Sequence, residues 1–195
     1  MPMTNRQEAI ITGLLLGDGH LEKNGRYVRL KVDQALNHSD YVNWLYNELK
    51  NLVPSQPVII KENDKRTHKV YRRLHFSTYS NVEFKEWWNE FYVDKKKIVP
   101  PKIESVLNSA ISLAIWLMDD GYKRNDCAAI RLNTDAFTYE EQCLLIQCLE
   151  KNFKIKSQVH KKGKWFNIYI PKGEAKKFCE LVKSHILPSF RYKLL

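Results

Sequence analysis

The sequence has no apolar run close to the ~20 consecutive residues that a membrane-spanning helix needs. Its opening stretch, MPMTNRQEAI, also lacks the basic segment and the apolar core of a secretory signal. Together these absences predict an intracellular protein with no membrane-spanning helix.

Cysteine is also scarce. The four cysteines (Cys127, Cys143, Cys148 and Cys179) include no C-x-x-C pair. Zinc sites and disulfide frameworks usually show such regular spacings. We therefore expect four reduced thiols and no zinc site.

Acidic residues are fewer than basic ones, 22 against 32, which leaves a formal charge of +10 and a pI near 9.4. A basic balance of this size favours a polyanionic partner, either nucleic acid or an anionic membrane surface. A basic protein without such a partner is also compatible with charge alone. The nearest candidate for a membrane-surface helix, residues 173–186, has the pattern of a packed helix with solvated lysines, so no membrane partner is expected.

The chain contains an internal repeat. Two apolar segments, 4–18 and 109–120, each end on an aspartate that precedes a glycine, at Asp18 and Asp120. Small residues recur at helical spacing in both segments, a pattern that lets two helix backbones approach closely. The glycines after the acids, Gly19 and Gly121, are predicted to end the helices in the left-handed conformation.

The elements predicted after each acid also repeat. The first acid is followed by strand 26–34, helix 38–53, strands 57–63 and 68–78, and helix 81–92. The second acid is followed by strand 127–134, helix 139–153, strands 155–162 and 164–170, and helix 173–186. This order predicts an α+β fold of two pseudo-symmetric αβαββα halves with antiparallel sheets. The halves are expected at 1–94 and 109–195, with a linker at 95–108.

One face of each predicted sheet is polar and basic, whereas the other is apolar. Arginine, lysine, asparagine, glutamine and histidine are residues that read base edges in a major groove. An ordinary solvated sheet face is the alternative. The candidate nucleic-acid contacts are Arg29, Lys31, Lys69, Tyr71, Arg73 and His75 in the first half, and Arg131, Asn133, Lys156, Gln158, His160, Trp165, Asn167 and Tyr169 in the second.

The two acids are electrostatically unfavourable without a partner. If the two small-residue helices pack across a pseudo-twofold axis, Asp18 and Asp120 come together at the negative ends of two helix dipoles. A divalent cation removes this repulsion, and hard oxygen ligands suit Mg²⁺. Each Asp-Gly pair taken alone is more typical of an ordinary turn, but two of them in a duplicated frame on a basic chain favour the cation site.

The segments ITGLLLGDG (11–19) and LAIWLMDDG (113–121) resemble the nine-residue motif of the LAGLIDADG homing endonuclease family, in its single-chain, two-motif branch. They depart from the motif at Leu16 and Met118, where an acid is usual, and at His20, where an aromatic or small residue is usual. The resemblance implies a monomer whose two saddle-shaped sheets straddle DNA and whose motif helices join the halves.

The resemblance also implies roles for single residues. Asp18 and Asp120 match the metal-binding acids of the family, and the main-chain carbonyls of Gly17 and Asp119 match further ligands. A lysine near each cut orients or polarises the attacking water in this branch. Lys97 and Lys193 match those positions, and surface lysines are their alternative interpretation.

The implied activity is Mg²⁺-dependent hydrolysis of one phosphodiester per strand at a long, asymmetric double-stranded DNA target, with short 3′ overhangs. Mn²⁺ is expected to substitute for Mg²⁺, and Ca²⁺ is expected to support binding. An intron RNA maturase on the same scaffold is the first alternative, and a non-catalytic DNA-binding regulator is the second. The lysine-rich composition favours an AT-rich genome, which is compatible with a mitochondrion or another organelle and with a bacterial or phage cytoplasm.

Overall fold

The computed structural model describes residues 3–63, 65–66 and 68–195. The first part of the chain contains α1 (Asn5–Leu16), β1 (His20–Asn24), β2 (Tyr27–Ala35), α2 (Ser39–Glu48), β3 (Val58–Asn63), β4 (Val70–Ser77) and α3 (Val82–Phe91). Short 3₁₀ turns at Leu36–His38 and Lys50–Leu52 flank α2.

The second part begins with a two-stranded hairpin and a short helix. Its elements are β5 (Tyr92–Val93), β6 (Lys96–Lys97), α4 (Ile103–Val106), α5 (Ala110–Asp120), β7 (Gly121–Lys123), β8 (Ile130–Leu132), α6 (Tyr139–Phe153), β9 (Gln158–Lys162), β10 (Trp165–Ile170) and α7 (Lys172–Val182). Two 3₁₀ segments, Lys183–His185 and Pro188–Lys193, follow α7. No helix of the described residues is long and apolar enough to cross a membrane.

One compact unit comprises Asp18–Trp88. Its antiparallel sheet, the first sheet, has the strand order β1-β2-β4-β3. Alternation along the strands buries one face, and helix α2 adds Tyr41, Val42 and Leu45 to the core. The buried side chains of that sheet face are Leu21, Val28, Leu30, Val32, Leu74 and Phe76.

The other compact unit comprises Asn89–Leu195 together with the chain up to Gly17. Its antiparallel sheet, the second sheet, has the order β7-β8-β10-β9 and so repeats the topology of the first. Helices α1 and α5 pack against each other within this unit and are buried along most of their length. A capping box between Thr4 and Gln7 starts α1, and another between Thr138 and Glu141 starts α6.

The α+β class and the duplicated antiparallel sheets are confirmed, but the predicted αβαββα order lacks one strand per half. The observed order is αββαββα, because β1 and β7 directly follow the motif helices. Strand β1 buries only Leu21, and β7 is three residues long and begins at Gly121. Neither segment has the run of alternating residues by which a strand is recognised in a sequence.

The glycine caps also differ from the prediction. Gly121 has a φ of −90° and a ψ of 154°, which is extended backbone. A methyl group at this position would lie 2.3 Å from Leu117 Cδ1 and 2.8 Å from the Leu117 carbonyl oxygen. Gly121 is therefore required by the close approach of α5, and the left-handed glycines are Gly25 and Gly163, in the β1–β2 and β9–β10 turns.

Candidate active site and nucleic-acid interface

Helices α1 and α5 touch through their small residues. The Ser112 hydroxyl donates a buried hydrogen bond of 2.7 Å to the Ala9 carbonyl oxygen. A Cβ atom at Gly13 would lie 2.6 Å from the Ser112 carbonyl oxygen and 2.8 Å from Ile115 Cβ. The small-residue stripe therefore permits direct backbone contact between the two motif helices.

The two helices also meet at their C-terminal ends. A Cβ atom at Gly17 would lie 2.4 Å from Asp119 Oδ2, so the Asp119 side chain occupies the space that any larger residue at position 17 would need. Asp119 is half-buried and immediately precedes Asp120, the last residue of α5. The carboxyl end of α5 therefore lies against the C-cap of α1.

Lys97 contacts the end of α1. It is the last residue of β6, and its Nζ donates a 2.8 Å hydrogen bond to the Gly17 carbonyl oxygen. Gly17 is the C-cap residue, where carbonyl groups lack helical partners and the helix dipole attracts a cation. The side chain of Lys97 is half-buried.

Lys193 contacts the end of α5 in a corresponding way. Its Nζ donates to the carbonyl oxygens of Met118 at 2.5 Å and Leu117 at 3.2 Å, and lies 3.5 Å from that of Asp119. Lys193 is only 8% exposed, and its ammonium group lies 5.4 Å from the centre of the Phe190 ring. Of the two predicted lysines, Lys193 is the more buried.

The two acids have different surroundings. Asp18 is exposed, and its Oδ2 accepts a 2.7 Å hydrogen bond from the side-chain amide of Gln34 on β2. Asp120 is half-buried, and its main-chain carbonyl accepts a 2.9 Å hydrogen bond from the main-chain N–H of Asn133. Asp18 and Gln34 border a concavity of about 700 Å³ that Tyr71, Arg72 and Arg73 also line.

Gln34 is a site residue that sequence reasoning missed. It follows Val28, Leu30 and Val32 on the apolar side of β2, so a polar residue stands where the alternation predicts an apolar one. That interruption was the available signal. The observed contact identifies Gln34 as a hydrogen-bond donor that orients the Asp18 carboxylate.

The donors at the helix ends are chemically suited to a hard cation. They are carboxylate and main-chain carbonyl oxygens, which Mg²⁺ prefers. Within the described ranges, no group of three His, Cys, Asp or Glu side chains is placed to hold a metal by itself. A cation bound here therefore needs carbonyl, water or phosphate oxygens to complete its coordination.

The pairing register places most of the predicted contacts of the first sheet on one face. Arg29 and Lys31 of β2 share that face with Tyr71, Arg73 and His75 of β4, whereas Lys69 precedes β4. Acids also lie among these bases. Glu22 forms ion pairs with Arg29 and Lys31. Arg73 forms one ion pair with Asp33 at 2.9 Å and another with Glu62 at 3.6 Å.

The second sheet presents an aromatic and basic face. Gln158, His160, Trp165 and Tyr169 share it with Arg131 according to the register, and Asn133 and Lys156 lie beyond the strand ends. The His160 and Tyr169 rings stack with centroids 4.4 Å apart, and the Arg131 guanidinium lies 5.8 Å from the Tyr169 ring centre.

Asn167 departs from the expectation that it is presented to a ligand. It pairs with His160 in the ladder, but its side chain is fully buried. Burial of an amide side chain at this position is a feature that alternation alone does not reveal.

The two histidines of the sheet faces have lowered pKa values. Burial lowers the pKa of His75, and nearby Asp33 partly offsets this effect. Burial also lowers the pKa of His160, with a further contribution from Arg131. Because both shifts are downward from an ordinary value of 6.5, both rings favour the neutral form at pH 7, in which each offers one donor and one acceptor nitrogen.

Comparisons with known proteins agree with this arrangement. The family model described as the LAGLIDADG DNA endonuclease family matches residues 8–178. The cytochrome b mRNA maturase bI2 of Debaryomyces hansenii is 31% identical over 99% of this chain and 75% of its own length. The DNA endonuclease I-ChuI of Chlamydomonas applanata is 28% identical over 100% of this chain and 96% of its own length.

A solved structure shows the same fold. The homing endonuclease I-WcaI bound to its DNA recognition sequence superposes with a TM-score of 0.91 at 25% identity, covering 100% of this chain and 88% of that one. Its similarity extends over both sheets and both motif helices. The family match over residues 8–178 and the two packed motif helices show that this chain belongs to the LAGLIDADG DNA endonuclease family.

Proposed function

We propose that this chain is a homing endonuclease that hydrolyses one phosphodiester in each strand of a long, asymmetric DNA target. The observation that carries the proposal is the contact between α1 and α5, the two helices that lead into Asp18 and Asp120. A lysine lies on the terminal carbonyl oxygens of each helix. This double set of acid, carbonyl and lysine matches a substrate with two strands to cut.

Asp18 and Asp120 would hold Mg²⁺, together with the main-chain carbonyls of Gly17 and Asp119. When bound, Mg²⁺ makes a coordinated water a better nucleophile and offsets charge on the phosphate. We expect Mn²⁺ to substitute and Ca²⁺ to support DNA binding without cleavage. Gln34 would orient Asp18 through the observed hydrogen bond.

Lys97 and Lys193 would support hydrolysis at the helix ends. The Lys97 ammonium bonds the carbonyl oxygen of Gly17, the residue before Asp18. The Lys193 ammonium lies beside the carbonyl oxygen of Asp119, the residue before Asp120. An ammonium in that position can donate a hydrogen bond to the attacking water or to a phosphate oxygen, which orients the water and stabilises developing charge. The family resemblance favours cuts across the minor groove that leave short 3′ overhangs.

The polar sheet faces would bind the DNA. Their arginine, lysine, glutamine and neutral histidine side chains can hydrogen-bond base edges in the major groove, while other lysines contact phosphates. The residues proposed for this role are Arg29, Lys31, Lys69, Tyr71, Arg73, His75, Arg131, Asn133, Lys156, Gln158, His160, Trp165 and Tyr169. Asn167 could take part only after neighbouring side chains move, because it is fully buried.

We further propose that a monomer suffices, because one chain carries both motifs. Residues 1–94 and 109–195 would each serve one half of the target, joined through 95–108. Action inside a mitochondrion, another organelle or a bacterial or phage cytoplasm is compatible with such a target.

A specific observation also supports a second candidate function. The relatives named cytochrome b mRNA maturase bI2, from Debaryomyces hansenii and Saccharomyces cerevisiae, are 31% and 30% identical over 99% of this chain. The chain spans 48% of the length of the second relative. An intron RNA maturase activity is therefore the alternative to be separated by experiment.

Cleavage selection tests the proposal. The purified chain is incubated with a randomised duplex DNA library in Mg²⁺ and in Ca²⁺, and the cut ends are sequenced. We expect paired cuts within one long motif in Mg²⁺ and binding without cuts in Ca²⁺. Binding of DNA without cleavage in either ion would indicate a regulator, and selective binding of structured RNA without DNA preference would indicate a maturase.

A further inference from the structure

Strand β3 exposes apolar side chains on the sheet face that carries the arginine and histidine contacts. Val58 pairs with His75, and Ile60 pairs with Arg73, so both pairs project to the same face of the first sheet. Val58 is 55% exposed and Ile60 is 41% exposed. An apolar pair therefore lies directly beside polar groups that are proposed to read DNA.

The position of β3 makes this exposure unusual. It is an edge strand, bonded among the described residues to β4 alone, and all six of its residues are exposed. Edge strands are commonly protected by charged residues, because exposed apolar edges promote association with other chains. Apolar residues at this edge are accounted for if the bound partner covers them.

The charged groups around the pair identify the kind of partner. The Arg73 guanidinium is fixed by Asp33 at 2.9 Å and by Glu62 at 3.6 Å. A fixed guanidinium suits a planar acceptor pair such as the O6 and N7 atoms of guanine. The surface next to Ile60 is thus suited to the edges of bases in a major groove.

The major groove displays a single apolar group, the C5-methyl of thymine. We infer that Val58 and Ile60 contact thymine methyl groups and so specify thymine at one or two positions of the target. This inference rests on the proposed DNA endonuclease function. It also gives a chemical basis for preferring DNA, because an RNA strand with uracil at the same positions lacks the methyl group.

The same strand supplies a matched control. Ile59 is 57% exposed, but it pairs with Leu74 and projects from the opposite face. Ile59 is more exposed than Ile60, so its truncation removes at least as much exposed apolar surface while leaving the DNA-facing side intact. Comparing Ile59→Ala with Ile60→Ala therefore separates an effect on DNA binding that needs the DNA-facing side of β3 from a general effect of lost hydrophobic surface.

The test replaces each thymine of the selected target by deoxyuridine, one position at a time, which removes one methyl group and changes no hydrogen-bonding atom. For the wild type, we expect one or two positions at which the dissociation constant in Ca²⁺ rises by about fourfold. This factor corresponds to the transfer free energy of one buried methyl group, about 0.8 kcal/mol. Those same positions should become insensitive in Val58→Ala or Ile60→Ala and stay sensitive in Ile59→Ala.

Three results would overturn the inference. Deoxyuridine could leave the wild-type dissociation constant unchanged at every position. The sensitivity to deoxyuridine could persist in Val58→Ala and Ile60→Ala, or Ile59→Ala could abolish that sensitivity equally. In each case an intact thymine target that is still cleaved in Mg²⁺ would leave the proposed function standing. A wild-type chain that neither binds nor cuts any duplex would contradict both proposals together.

Discussion

At the scale of single residues, the two lysines at the motif helices differ in environment. Lys193 is buried and bonds carbonyl oxygens of Leu117 and Met118, whereas Lys97 is half-buried and bonds the carbonyl oxygen of Gly17. We therefore interpret Lys193 as a C-terminal cap of α5 as well as a candidate catalytic group. Lys97 is the less buried of the two.

This difference predicts unequal effects on stability. Lys193→Met should lower the free energy of unfolding by about 1.5–3 kcal/mol, because charge-assisted hydrogen bonds to buried carbonyls are lost. Lys97→Met should cost about 1 kcal/mol or less. Denaturant unfolding of both variants checks this, and equal losses would contradict the distinction.

Gln34 gives a second prediction at this scale. Gln34→Ala removes the amide that orients the Asp18 carboxylate, so the Mg²⁺ concentration for half-maximal cleavage should rise by about tenfold. DNA affinity in Ca²⁺ should change little, because Gln34 pairs with Leu74 and so projects from the sheet face opposite Arg73 and His75. A variant with unchanged Mg²⁺ dependence would show that Gln34 does not position the acid.

His75 makes stability depend on pH. Because burial lowers its pKa in the folded chain, the unfolded chain binds the proton first as the pH falls. The contribution of His75 is fully present above the unfolded value near 6.5 and is lost as the pH falls through the lower folded value. Thermal unfolding between pH 7.5 and 5 should therefore show a steeper loss for the wild type than for His75→Gln.

At the scale of elements, the contact between α1 and α5 is the decisive feature. Gly13→Ala places a methyl group 2.6 Å from the Ser112 carbonyl oxygen, so the helix backbones must separate. We expect a loss of about 1–3 kcal/mol in unfolding free energy. The matched control is Gly173→Ala in α7, where nothing lies within 4 Å of the new methyl and stability should stay equal or rise. Equal effects of both changes would contradict the close approach.

The sequence predicted the elements unevenly, for physical reasons. Long periodic segments such as α6 were found at their observed bounds, whereas β1 and β7 were missed because each begins within four residues of a helix and alternates too briefly. The positions of Lys97 and Lys193 followed from family resemblance. Gln34 and the acids that hold Arg73 depend on strand register, which residue patterns do not fix.

At the scale of the whole molecule, the net charge of +10 should make DNA binding strongly dependent on salt. The logarithm of the binding constant should fall linearly with the logarithm of salt concentration. Lys69→Ala should reduce the slope by about one, which is the loss of one phosphate contact, without changing the preferred sequence. An unchanged slope would remove Lys69 from the DNA interface.

The central claim is that Asp18 and Asp120 are needed for cleavage and not for binding. The most direct measurement compares wild type, Asp18→Asn, Asp120→Asn and the control Asp40→Asn, an exposed acid of α2, on the selected target. Each motif variant should retain the wild-type dissociation constant in Ca²⁺ and lose about a thousandfold of its cleavage rate in Mg²⁺. Asp40→Asn should cut normally. Wild-type cleavage by either motif variant would contradict the account.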